Sequence, residues 1–389
     1  MQVGTASSEA RFAVSTVAEI EFLLPMFHRL QHTGRRVNVL YGVPLPPSQT
    51  SRLARIARQL GQGSMILMID HTSQLQSLQT FSEEAGFPAG VFLKVDTGYH
   101  RAGLPPSALN KRGLLQKLVD LQKQGVSQLV GLYSHSSLSY SDSSSSEAMN
   151  SLRREIERCI DALDHNKPLF PKDHPLLISV GASPQVMAIQ NLAEGQSSSA
   201  SIALIDTISK LSAPSSENPT ISLELHAGVY SVLDMQQIAT RSVDSWSVFH
   251  EEVALCVLAE VISVYDEGER SKPEALIAAG TLALGREPCH TYPGWGVVEL
   301  LDSSITSRGS GRLIIDRISQ EHAIVAWQSC VEQNTPAHKL PLVVGEIVRI
   351  YPNHACVTGA MFERYFVVDS DDGTGGRRVI DVWERARGW

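Results

Sequence analysis

The chain has 389 residues, 43% of them hydrophobic, and a formal charge of -8 at pH 7. Single domains rarely exceed about 250–300 residues, so a chain of this length is expected to bury two cores. The acidic balance argues against nucleic acid or an anionic membrane as the main partner and favours a small molecule.

Five scattered cysteines, Cys159, Cys256, Cys289, Cys330 and Cys356, do not make a secreted disulfide framework, and they point to a reducing, cytoplasmic setting. The start, MQVGTASSEARFAVS, has no charged apolar signal core, and no apolar run reaches membrane-spanning length, so a soluble protein is expected.

From residue 11 to about 238, helical and strand patterns alternate. STVAEIEFLLPMFHRL predicts a helix and VNVLYGVP a strand; PSQTSRLARIARQLG and MILMID repeat the pair. HTSQLQSLQTFSEEAG with GVFLKVDTG, and NKRGLLQKLVDLQKQG with LVGLYSH, continue it. The helix SEAMNSLRREIERCIDALDH then precedes three predicted strands, LLISVGAS, SIALIDT and ISLELHAGVY. Alternation of this kind predicts a parallel sheet, and the number of units predicts an α/β fold with a (β/α) barrel over residues 1–240.

Beyond this point the period changes. EEVALCVLAEVISVY, EALIAAGTLAL, RLIIDRI, EHAIVAW, VVGEIVRIYP and RYFVVD predict strands joined by polar turns, so a β-domain is expected over 245–389. The serine-rich stretches at 136–146 and 194–201 are predicted loops.

Polar residues gather where the predicted barrel strands end, which is where barrels carry active sites. KVDTGYHRAGL sets Asp96, Thr97, His100 and Arg101 after one strand, a pattern that a capped turn would also give. GLYSHSSLSY brings His135 and Tyr140, SVGASP brings Gly181 and Ser183 ahead of a helix, and LELHAGVY brings Gly228 and Tyr230. The last two are candidate phosphate cups. In YPNHACVTGAMF, His354 and Cys356 stand two apart; in an extended strand they would face one side, either as half a metal site or as two buried side chains.

The set KVDTGYHRAGL, GLYSHSSLSY, SVGASP, LELHAGVY, LALGRE, YPNHACVT and VWERARGW resembles the eukaryotic-type D-serine dehydratases, pyridoxal-phosphate enzymes of the alanine-racemase-like group. The resemblance spans residues 11 to 389 and implies a barrel plus a β-domain, with zinc at His354 and Cys356 and D-serine converted to pyruvate and ammonia. It implies that Gly181, Ser183, Gly228 and Tyr230 hold the phosphate, that Arg101 lies near the phenolic oxygen, and that His135 or Tyr140 contacts the ring. A homodimer is a further expectation.

The resemblance also implies a Schiff-base lysine on a first barrel strand, and no lysine precedes Lys94 here. Lys94 matches a lysine that relatives carry in addition, a supporting charge near Arg101. The barrel is therefore expected to be incomplete at its N-terminal side, and the chain impaired as written, whether through a shortened start or true loss. Val229 and Ala182 also stand where the family pattern has asparagine and a hydroxyl residue. A D-threonine aldolase-like lyase and a non-catalytic pyridoxal-phosphate or zinc binder are the competing readings.

Overall fold

The computed structural model describes residues 3–171, 174–193, 198–211, 220–243, 249–301, 311–328, 339–373 and 376–388. Cys330 and residues 194–197 of the second serine-rich stretch lie outside them. The chain divides into two compact units, Met1–Gly228 with Ala386–Trp389, and Val229–Arg385.

The first unit carries seven parallel strands in sequence order: β1 (Glu9–Val14), β2 (Arg36–Pro44), β3 (Met65–Ile69), β4 (Ala89–Lys94), β5 (Ser127–Tyr133), β6 (Leu176–Val180) and β7 (Ile221–Leu225). Helices α1 (Val17–His32), α2 (Thr50–Leu60), α3 (Leu75–Ala85), α4 (Leu114–Lys123) and α5 (Ser145–Asn166) make the crossovers from β1 to β6. Three more, α6 (Ser183–Ala188), α7 (Gln190–Ala193) and α8 (Ser199–Leu211), lie between β6 and β7. Strand β3, MILMI, is buried at every position, as a parallel strand covered on both faces must be.

Successive strand residues alternate faces. Val39, Leu67, Val91 and Leu93 join the core under the helices, whereas Leu40, Ile66, Met68, Phe92 and Tyr133 form a separate cluster on the other face. Lys94 shares the parity of Phe92 and falls on that second face. The edge strands β1 and β7 are bridged by an ion pair between Arg11 and Glu224, so the sheet curls back on itself, and among the described residues no eighth strand is hydrogen-bonded between them.

Two details of the first unit differ from expectation. EARFAV forms β1, which its pattern did not announce. SIALIDT is the body of α8, with Ala200, Leu204, Thr207 and Leu211 buried three or four apart. That spacing is helical, and the β-branched Ile202 and Ile205 that suggested a strand point outward.

The second unit is a closed antiparallel barrel. Its strands are β8 (Val257–Tyr265), β9 (Glu274–Ile277), β10 (Gly296–Leu300), β11 (Leu313–Ile318), β12 (Ala323–Trp327) and β13 (Ile347–Pro352). Short helices α9 (Met235–Ala239), α10 (Phe249–Glu252), α11 (Thr281–Leu284) and α12 (Ala355–Ala360) and a hairpin of β14 (Arg364–Val368) and β15 (Val379–Glu384) accompany it. Val261, Ile277, Ile315, Val325, Val348 and Ile350 fill its interior. EALIAAGTLAL, expected as strand throughout, is strand only to Ile277 and then turns into α11.

Candidate functional site

The segment after β4 is shaped by one carboxylate. Asp96 accepts hydrogen bonds from the backbone N–H of Gly98 (2.9 Å) and His100 (3.0 Å) and pairs with the His100 ring at 2.7 Å. Burial alone would raise its pKa, but these three partners outweigh burial and hold the carboxyl below its ordinary value. They also stabilise His100 at φ 59°, a left-handed backbone uncommon outside glycine. Gly103, at φ +104°, closes the turn where a Cβ would lie 2.8 Å from the Asp96 nitrogen.

The clamp leaves Arg101 exposed over Tyr99, with 5.2 Å from the guanidinium to the ring centre. Arg101, Lys94, Asp96, Thr97 and His135 line one small cavity.

Lys94 is only 6% exposed, and its ammonium stands 5.0 Å from the centre of the Tyr133 ring. Burial lowers its pKa to about 8; the charge of Glu155 opposes the shift and Arg101 adds to it. Glu155 is a carboxylate on the buried stripe of α5, between Leu152 and Ile156. It accepts from the Ser134 hydroxyl at 2.7 Å and the Gln185 amide at 3.2 Å. Because Ser134 spends its one hydrogen on Glu155, Thr97 must donate to Ser134 across their 2.9 Å contact. A polarised hydroxyl chain thus runs from the cavity wall to a buried acid.

Two neutral imidazoles complete this side. His135 donates from Nδ1 to the Gly181 carbonyl at 2.8 Å, which leaves its Nε2 as a lone pair. Burial lowers its pKa to about 4, Arg101 and Lys94 contribute, and Gly181 opposes. His226, just past β7, stacks on Tyr133 with 4.6 Å between centres and 7° between planes. Ser179 donates to Glu224 and therefore accepts from His226 Nδ1, leaving a buried Nε2 that makes no hydrogen bond. Burial, followed by the charges of His135 and Lys94, takes the His226 pKa down to about 3.

Gly181 holds φ 137°, and a Cβ there would meet the His226 carbonyl oxygen at 2.5 Å. Ser183 is buried at the start of α6, and Ala182 ahead of it provides no side-chain cap. Gly228 is exposed beyond β7. Tyr140 sits half-buried on the turn Leu138–Ser141 and is not among the cavity-lining residues. Tyr230, His354 and Cys356 belong to the second unit.

His354 and Cys356 do not lie on a strand. Strand β13 stops at Pro352; His354, with extended φ and ψ of -138° and 103°, caps α12, and exposed Cys356 is on its first turn. The same-face argument from an extended strand is therefore replaced by a cap geometry.

That cap is fixed by its neighbours. Asp234 accepts from Gln237 N–H and Ala355 N–H, each at 2.9 Å, and Asn353 donates to the Glu287 and Gly294 carbonyls at 2.8 Å. The His354 Nδ1 contacts the Gln236 amide oxygen at 2.8 Å, which protonates Nδ1 and leaves Nε2 as a donor atom. Among the described residues no group of three or more His, Cys, Asp and Glu side chains converges for a metal.

Sequence reasoning did not single out Glu155, Ser134, Tyr133 or His226. Glu155 carried a signal, since an acid on the apolar stripe of a helix must be partnered in the core. The others needed the strand parity and the curl of the sheet.

Residues 2–196 match the alanine racemase N-terminal domain family, and residues 254–368 match the serine dehydratase domain family. The chain is 30% identical over 381 residues to the D-serine dehydratase of Saccharomyces cerevisiae, covering 97% of this chain and 80% of that protein. It is 28% identical over 394 residues to the D-serine dehydratase of Schizosaccharomyces pombe, covering 100% and 81%. An alanine-racemase-like protein of Idiomarina loihiensis superposes with a TM-score of 0.68 at 25% identity, covering 99% of this chain and 85% of that one. The chain belongs to the D-serine dehydratase family of alanine-racemase-like pyridoxal-phosphate proteins.

Proposed function

We propose that the chain is a lyase that converts D-serine to pyruvate and ammonia with pyridoxal phosphate in the first unit and zinc in the second. The observation that carries the reading is the cavity where a buried amine, an arginine and a neutral imidazole meet at the ends of β4 and β5. The residue types around it suit the groups of an anionic aromatic aldehyde: Arg101 suits the phenolic oxygen, and the Gly181–Ser183 turn and Gly228 suit the phosphate. When bound, pyridoxal phosphate supplies an electron sink for the charge left at Cα.

His135 Nε2 is the neutral base atom beside this cavity, and Tyr140 is a candidate second ring contact. Thr97, Ser134 and Glu155 give a fixed route along which protons can be redistributed.

For zinc, an imidazole held through Nδ1 at the helix cap and a thiol on the first turn of that helix match a borderline-soft metal, and two protein ligands leave positions open. Bound there, zinc supplies a Lewis acid for the departing hydroxyl. About one zinc per chain is expected. Unchanged zinc content in Cys356→Ala would contradict the assignment.

A cytoplasmic setting is supported by the absence of disulfides among the described cysteines. Among the described residues no helix is long and apolar enough to cross a membrane. Homodimerisation is supported by the exposed apolar side chains of the β14–β15 hairpin, Phe366 and Trp383 at 71% and 53% exposure among them. Sedimentation at two concentrations tests it.

The deciding assay gives D-serine and D-threonine to the loaded protein. Pyruvate from D-serine supports the proposal; glycine and acetaldehyde from D-threonine, without pyruvate, would replace it with an aldolase.

A further inference from the structure

We propose that a cavity in the second unit binds a small phosphate monoester with a planar ring, at a site separate from the cofactor and zinc positions above. The proposal concerns other residues and does not depend on the reaction.

The cavity, about 430 Å³, has the volume of a small-molecule site. Arg241, Phe249, Thr291, Arg312 and Gln328 line it, over a floor given by one side of α9. That side bears Met235 and Ala239, four apart, whereas Gln236, which reaches His354, projects from another. The floor of the cavity and the candidate zinc pair therefore use different sides of one helix.

Both arginines are placed by the backbone. Arg241 follows the C-cap of α9 at φ 48°, a left-handed conformation that helices normally reserve for glycine at this place. Keeping a long cation there sacrifices local stability, the pattern of a residue retained for its side chain. Arg312 is held by strand register. Leu313 pairs with Trp327, and one step further the Gln328 N–H donates to the Arg312 carbonyl at 2.7 Å. Arg312 and Gln328 thus leave neighbouring strands at one level.

The charges select the ligand. Arg312 lies over the Phe249 ring at 5.7 Å and the Tyr292 ring at 5.9 Å, and none of the described lining residues is acidic. Among the described residues no carboxylate pairs with Arg241 or Arg312. Two guanidiniums match a dianion, and a phosphate monoester carries about 1.5–2 negative charges at pH 7. Its three acceptor oxygens suit the two guanidinium forks, the Thr291 hydroxyl and the Gln328 amide. A monocarboxylate would leave one guanidinium without a counter-charge. The Phe249 ring, braced edge-on against Tyr351 at 5.1 Å and 87°, and the apolar floor then suit a flat body on the ester.

The test is isothermal titration calorimetry on the full chain with adenosine monophosphate as the probe, beside adenosine and inorganic phosphate. Saturable one-to-one binding is expected, at least about tenfold tighter for the monophosphate than for either half alone. Arg241→Gly removes the guanidinium and suits the backbone, so it should weaken binding at least about tenfold while the melting temperature stays level or rises. Arg312→Gln should weaken it likewise. Arg364→Gln, at an exposed arginine of β14, should leave it unchanged.

Absence of saturable binding, or unchanged affinity in both Arg241→Gly and Arg312→Gln, overturns the proposal. Equal affinity for adenosine or for phosphate alone also overturns it, since one half of the ligand would then be idle. Loss confined to Arg101→Ala would place the nucleotide in the first unit and overturn it as well.

Discussion

Two polar networks, one in each unit, are built on opposite plans. In the second unit Asp234 and Asn353 spend most of their hydrogen bonds on backbone: Ala355 and Gln237 N–H for the acid, Glu287 and Gly294 carbonyls for the amide nitrogen, while the Asn353 oxygen accepts from the Tyr292 hydroxyl. Around Lys94 the partners are mostly side chains, and buried polar atoms remain unpaired, including His226 Nε2 and Gln185 Oε1. The contrast is not absolute, because the Gln237 amide in the second unit is also buried without partners. It teaches that the second network is a frame for one turn, whereas the first gathers a lysine and two imidazoles whose pKa values burial lowers, a clustering of perturbed groups that binding and catalytic sites share.

The largest effect that would break this contrast is steric. Gly181→Ala places a Cβ 2.5 Å from the His226 carbonyl at a backbone angle that disfavours side chains, and it should cost about 3 kcal/mol or more in urea unfolding. A cost below about 1 kcal/mol would mean that the β6 and β7 ends are looser than described.

Next, Asp234→Ala strips two backbone donors of their acceptor and should cost about 2–3 kcal/mol. It should also weaken zinc retention, because Ala355 lies between His354 and Cys356.

A third effect is confined to the first unit and depends on pH. His135 and His226 have folded pKa values depressed to about 4 and 3, so between those values and about 6.5 the unfolded chain binds more protons. Stability should therefore fall as pH drops through that window, by on the order of 1–3 kcal/mol per ring. His226→Phe should flatten the slope; an unchanged slope would assign acid sensitivity elsewhere.

The smallest stability effect is expected for Gln236→Ala, below about 0.5 kcal/mol, since Gln236 is an exposed-side partner of His354. Zinc affinity should nevertheless drop about 10–100-fold through loss of the second partner of the imidazole. Equal zinc affinity would show that the His354 ring needs no such orientation.

The alternating architecture was legible because β2 to β7 are apolar runs between amphipathic helices. SIALIDT was not, because a seven-residue apolar run reads equally as a strand or one face of a buried helix. VIDVWE, now β15, is exposed at every position, so no core face marked it. Arg101 and His135, which come from separate strand-end motifs, line one cavity, and His135 bonds the Gly181 carbonyl. The sequence could not reveal that Tyr133 and His226 stack, since 93 positions separate them and only the curl of the sheet joins them. The HAC spacing makes a same-face pair only on an extended strand; the chain leaves β13 at Pro352 and starts a helix instead.

The most direct measurement is pyruvate release from D-serine under four loadings: neither cofactor, pyridoxal phosphate alone, zinc alone, and both. The account predicts release from the doubly loaded chain only, with ammonia in equal amount. Equal release without zinc, or silence from a chain shown to hold both, would contradict it.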